Sequence, residues 1–345
     1  MADLRKKYLP ALCALLCLAL LAACGGGGET TDESEDESSI EVSRDPVLLP
    51  ADARKIVEDL NAGSVKANAT LDENLQNSIE TSPARDVDDA FFKRFRALGR
   101  TTATGPARNL QDVTTYVPRQ TTYPARFMAY VKLPLADDPA QPPTTRLRLF
   151  EKADADEPWK LAMYISVPPE FSAPDVPVDA DGFAEMVSED DAENLKLDPA
   201  QVPEELSRYL SGYGTTLETS VFAPGRYTTE LAQSYKTSAE EDAQAEITSS
   251  TEVKPGDLDA QAFKLRDGGA LTLFSTEAVT TFTAPEGKSL NPTAGSEGLL
   301  PSGRYTTIKR TTAHMVAAVV PPADAEGMVQ IVGNTSGVVA FEHTP

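Results

Sequence analysis

Behind Pro50, apolar residues recur at Ile56, Val57, Leu60, Ala67, Leu71, Leu75 and Ile79, mostly three or four positions apart. That spacing lines one face of a helix and predicts a long amphipathic helix from Pro50 toward Ile79. Gly63 marks a place for a kink, and Pro83 ends the pattern. Phe91, Phe92, Phe95 and Leu98 predict a second helix over 86–98, which leaves Lys93, Arg94 and Arg96 on a cationic face. The period then changes to two. Phe127, Ala129, Val131 and Leu133 alternate with Arg126, Met128, Tyr130 and Lys132, and Leu147 and Leu149 with Arg146 and Arg148. Trp159, Leu161, Met163, Ile165 and Val167 continue the same rhythm after a turn at Asp154 to Pro158. Such alternation predicts half-buried antiparallel strands, and Gln111 to Val117 is read as one more.

Pro168 to Pro177 is proline-rich and extended, and Asp179 to Lys196 is acidic. Helical spacing returns at Val202, Leu206, Tyr209, Leu210 and Tyr213, and Gly212 and Gly214 end it. A weakly amphipathic helix is expected over 227–247, then strands over 262–266, 270–283, 304–320 and 328–341, with Gly268-Gly269 as a hairpin turn. Asp198-Pro199-Ala200-Gln201 opens this half as Leu49-Pro50-Ala51-Asp52 opens the first, which suggests two diverged copies of one unit. The expected fold class is α+β, with two tandem units, each of helices packed on a curved antiparallel sheet. The units span 48–168 and 199–345, and 169–198 is the connector. A long helix followed by a curved meander, with Trp159-Lys160-Leu161 opening its last strand, resembles the NTF2-like and cystatin-like α+β class.

Ahead of the folded part, Arg5-Lys6-Lys7 precedes an apolar run from Tyr8 to Leu20, then Leu21-Ala22-Ala23-Cys24 and four glycines. The run is short for a membrane span and has the anatomy of a signal peptide. Leu21-Ala22-Ala23-Cys24 resembles the lipobox of bacterial lipoproteins. The resemblance implies recognition of Leu21, Ala22 and Ala23 by a signal peptidase, cleavage of 1–23, and a diacylglyceryl thioether on Cys24. Each buried CH₂ contributes about 0.8 kcal/mol, so two or three acyl chains anchor durably. Residues 24–47 carry Glu29, Asp32, Glu33, Glu35, Asp36 and Glu37 among Ser and Thr, and read as a disordered acidic tether. The composition resembles that of uncharacterised lipoproteins of high-GC Gram-positive bacteria, which implies the extracytoplasmic face of the cell membrane.

Charge and chemistry narrow the function further. The formal charge is −22, and removing 1–23 leaves −24, a balance that repels phosphate backbones and argues against a nucleic-acid partner. Cys13, Cys17 and Cys24 are the only cysteines, so the expected mature chain has a lipidated thiol and no disulfide. His314 and His343 are the only histidines, too few for a paired zinc site or a Ser-His nucleophile. Asp179-Ala180-Asp181-Gly182 fails the calcium-loop pattern and reads as an Asp-Gly turn. Gly287-Lys288-Ser289 lacks the earlier glycine of a phosphate loop. Asp86, Asp88, Asp89, Glu240, Glu241 and Asp242 read as solvated helix faces. No catalytic residue, metal ligand or cofactor site is assigned. The expectation is a non-enzymatic, membrane-anchored binding or scaffold module. Its partners would be membrane lipid through Cys24 and an envelope protein or apolar ligand. A lipid or lipoglycan carrier with a pocket between helix and sheet, and a carboxylate-pair hydrolase, are the alternatives.

Overall fold

Pro50 sits in the first turn of α1 (Pro50–Thr70), where its missing N–H costs nothing. The helix does not run on to Ile79. Leu71 turns into the left-handed region (φ 54°), and the Asp72 side chain caps α2 (Glu73–Ile79) by accepting the Leu75 N–H at 3.0 Å. The break therefore falls at Leu71-Asp72 and not at Gly63. Gly63 instead permits a close approach. Helix α2 folds back on α1, and a Cβ at Gly63 would lie 3.1 Å from Ile79 Cδ1. Helix α3 (Ala84–Ala97) completes the group. The computed structural model describes residues 45–103, 110–135, 140–214, 221–292 and 295–345, and from Asp45 onward they form one compact unit.

The first sheet is an antiparallel meander of β1 (Gln111–Tyr116), β2 (Ala125–Leu133), β3 (Thr144–Lys152) and β4 (Lys160–Val167), in that order. Its register puts Phe127 opposite Phe150, Ala129 opposite Arg148, and Arg148 opposite Tyr164. These residues share the face that packs on Ala53, Val57 and Leu60 of α1. β2, β3 and β4 are not half-buried as expected. Met128, Leu147, Leu149, Met163 and Ile165, on the opposite face, are fully buried too, because a second sheet covers them.

After a loop and a short α4 (Glu189–Ala192), α5 (Val202–Ser211) and α6 (Thr229–Gln244) lead into that second sheet. It contains β5 (Thr248–Pro255), β6 (Gln261–Lys264), β7 (Ala270–Thr283), β8 (Thr307–Val320) and β9 (Gln330–Thr344). β5 and β6 pair with successive stretches of β7, so the sheet is again a four-row meander. β5 escapes the sequence pattern because it is nearly all polar, with only Thr251 and Val253 turned inward. Gly268 turns the β6–β7 hairpin at φ 89°. The α+β class stands: α1 packs on the first sheet and α5 and α6 on the second, while α3 lies across β4 and β9 of the two sheets. The layers run α1, first sheet, second sheet, α5 with α6. The central layer joins Met128, Leu147 and Met163 to Leu271, Leu273, Met315 and Ala317 in one core.

The connector seals one side. Tyr130 and Tyr116 donate to the carbonyls of Phe171 (2.9 Å) and Pro174 (2.7 Å). Asp179 Oδ1 accepts from the N–H groups of Asp181 and Phe183, and Arg119 bridges Asp179 and Asp181. That is an Asp-Gly turn with its own cation.

Candidate functional site

Helices α1 and α3, strands β3 and β4 of the first sheet and β9 of the second enclose a cavity of about 1090 Å³. This is at the upper end of the range for small-molecule sites. One wall is apolar: Leu60 and Val65 from α1, Phe91 from α3, Leu110, Leu133 and Leu299. The floor is charged, and its polar side chains Asn61, Glu80, Asp88, Arg148 and Tyr164 come from five separate segments.

Glu80 follows α2, where Thr81 N–H donates to the Leu161 carbonyl at 3.0 Å and holds this turn against β4. Only 2% of Glu80 is exposed. Gln76 and Asp88 lie within hydrogen-bonding reach of its carboxyl, and its Oε2 has no partner among the described residues. Asp88 accepts from Tyr164 OH at 2.6 Å and from Gln76 Nε2 at 3.0 Å. Arg148 on β3 is 6% exposed and donates from Nη2 to Asn61 Oδ1 at 3.1 Å, while its Nε is buried without a partner. The Arg146 guanidinium lies 5.0 Å from the Tyr164 ring centre.

Burial sets the protonation here. Loss of solvent, then the neighbouring Asp88, pushes the Glu80 carboxyl up to about 9, with a smaller opposing pull from Arg148. Glu80 is therefore neutral at pH 7. Asp88 is also raised by burial, and the Tyr164 hydroxyl and Arg146 oppose that rise. Burial and the like charge of Arg146 lower Arg148 to about 9, which leaves it a cation at neutral pH. The two carboxyls share a hydrogen bond, with a buried guanidinium beside them.

Sequence reasoning placed Asp88 on a solvated face with Asp86 and Asp89, and the structure corrects this. Asp86 pairs with Arg85 on the surface, whereas Asp88 turns inward. The signal was present, because Asp88 lies four residues from Ala84 and Phe92 and three from Phe91, on the apolar stripe itself. Glu240 and Glu241 are exposed, as read. Arg148 holds a polar position in an alternating strand and gave no sign that its face would be covered. Glu80 lies outside any periodic segment. His314 is a core strand residue between Tyr235 OH (3.3 Å) and Asn334 Nδ2 (3.2 Å), lowered by burial to about 4. Leu21, Ala22, Ala23 and Cys24 lie outside the described residues. Among those residues, no group of three or more His, Cys, Asp or Glu could hold a metal ion, and no helix is long and apolar enough to cross a membrane.

Residues 44–343 match the family model described as Domain of unknown function (DUF8094). The chain belongs to the DUF8094 family. The match takes in both sheets and every residue of the charged floor. Two relatives come from Streptomyces coelicolor, a high-GC Gram-positive bacterium. Uncharacterized lipoprotein SCO6871 is 26% identical over 92% of this chain and 89% of its own length. Uncharacterized lipoprotein SCO2278 is 26% identical over 86% of each. No solved structure matches the chain. This DUF8094 member is thus similar to lipoproteins, and none of these names indicates a catalytic activity.

Proposed function

We propose that the protein is an envelope lipoprotein, anchored through Cys24 at the extracytoplasmic face of the membrane, that holds an amphipathic small molecule between α1 and the first sheet. The single observation carrying the binding part is the cavity: about 1090 Å³, apolar along Leu60, Val65 and Phe91 and charged at its floor. Apolar walls supply affinity and a few placed polar groups fix orientation. A pure scaffold would not call for the buried Glu80 and Arg148, because buried ionisable groups are costly unless something repays them.

The anchoring part rests on Leu21-Ala22-Ala23-Cys24 and on the similarity to lipoproteins. Cys24→Ala is expected to shift the protein from the membrane pellet to the medium, or to stall the precursor, in a fractionation blot. Unchanged membrane partition would refute the anchor.

Cavity binding is tested by photolabelling the full chain in neutral phosphatidylcholine nanodiscs with a diazirine-bearing monoacylglycerol. Adducts are expected on peptides of α1 and α3. Val65 is 57% exposed at the mouth, so Val65→Trp should fold normally and cut labelling severalfold. Labelling spread evenly over the surface would sink the reading. The hydrolase alternative has the proximity of Glu80 and Asp88 in its favour. Release of the acyl chain from the probe, lost in Asp88→Asn, would favour it over simple binding.

A further inference from the structure

Arg148 is the least compensated charge in the cavity. It is 6% exposed, donates to one neutral group, Asn61 Oδ1, and makes no ion pair among the described residues. The carboxyl whose charge acts on it is Glu80, and burial, then the neighbouring Asp88, pushes that carboxyl up to about 9. Asp88 is in turn occupied by Tyr164 OH and Gln76 Nε2. Arg148 Nε and Glu80 Oε2 are both buried without partners in a wall that lines the cavity. The guanidinium N–H groups are donors, while the Glu80 carboxyl shares a hydrogen bond with Asp88, so the donors and the positive charge this corner offers come from Arg148. A buried cation with unpaired donors is costly in an apolar setting, and a bidentate anion repays the cost.

We infer that the cavity takes an anionic amphiphile, its head group received by Arg148 and its chain laid along Leu60, Val65, Phe91 and Leu110. The inference rests on the cavity-binding reading above and adds the charge of the ligand. A long-chain carboxylate and an alkyl phosphate monoester share the required chemistry: several acceptor oxygens on one charged centre. A neutral alcohol of equal length offers the same apolar contact and no counter-charge. Selection among them is thus assigned to one buried guanidinium, while the apolar wall binds all three alike.

The test is competition at pH 7 in the same nanodiscs. The full chain is labelled with a diazirine-bearing palmitate, and unlabelled palmitate, hexadecyl phosphate or hexadecanol is added. Either anion is expected to displace the label from α1 and α3 peptides at least tenfold better than hexadecanol. Preference for palmitate over hexadecyl phosphate supports a carboxylate head group, and the reverse order supports a phosphate. Equal competition by all three overturns the inference while the cavity-binding reading stands. Labelling that avoids the cavity peptides with both this probe and the monoacylglycerol overturns both. Arg148→Gln should erase the anion preference and Arg148→Lys should keep part of it. Because Arg148→Gln can impair folding, the comparison of competitors on the unaltered chain decides the matter by itself.

Discussion

Glu80→Gln is expected to make the protein more stable above neutral pH, by on the order of 5 kcal/mol at pH 8, and to flatten its pH dependence. The folded Glu80 carboxyl titrates at about 9 against 4.5 for the ordinary group. Between those values the folded chain holds a proton that the unfolded chain releases. The stability associated with that proton is complete below pH 4.5 and is lost as pH rises toward about 9, at up to about 1.4 kcal/mol per unit. His314 acts with the opposite sign. Its folded value is about 4 against 6.5, so the stability of its neutral form is present above pH 6.5 and lost as pH falls toward about 4. From pH 4.5 to 6.5 the two slopes oppose, and above 6.5 only the Glu80 slope remains. Urea denaturation at pH 5.5, 7 and 8.5 reads this directly. Gln keeps the shape and a donor but has no proton to lose, so parallel curves for the two proteins would refute a neutral Glu80.

Gly333→Ala should destabilise the fold by about 3 kcal/mol without altering the denaturant slope. A Cβ at this point of β9 would lie 2.7 Å from Val167 Cγ1, 2.8 Å from the Ser166 carbonyl and 2.9 Å from Ile165 Cγ2. All three belong to β4, and the carbonyl cannot rotate away as a side chain tip can. The methyl would force the two sheets apart where they share a core. Gly225 serves as the control: its Cβ would meet only Thr228 Oγ1, at 4.0 Å, so Gly225→Ala should change stability by less than about 0.5 kcal/mol. Equal losses in the two variants would show that the contact between β4 and β9 is looser than described.

The alternating strands were legible because Phe127 to Leu133 and Leu161 to Val167 carry period two, and α3 and α5 because their stripes are strong. What covers a strand is a tertiary fact. Nothing in Arg146-Leu147-Arg148-Leu149 says that α1 closes over the arginines while another sheet closes over the leucines. Leu71 also looked like one more rung of a helical stripe. Its left-handed turn depends on Asp72 capping the next helix and on its own burial, 2% exposed, beside Phe92. The cavity floor was illegible for the same reason. Asn61, Glu80, Asp88, Arg148 and Tyr164 belong to separate segments, and only Asp88 lay on a pattern that could have betrayed it.

The outer edge of β4 has one more consequence. Its Leu161 carbonyl accepts from Thr81 N–H, its Ser166 N–H donates to Thr335 Oγ1 at 2.9 Å, and its Tyr164 N–H points at Met315 Sδ at 3.4 Å. A chain tethered to a membrane meets its neighbours at high density and in similar orientation. Under such crowding an open edge strand recruits strands from adjacent molecules and seeds fibres. Here those three groups of β4 are occupied from within the same chain, so copies held by the proposed anchor would stand side by side without pairing through them.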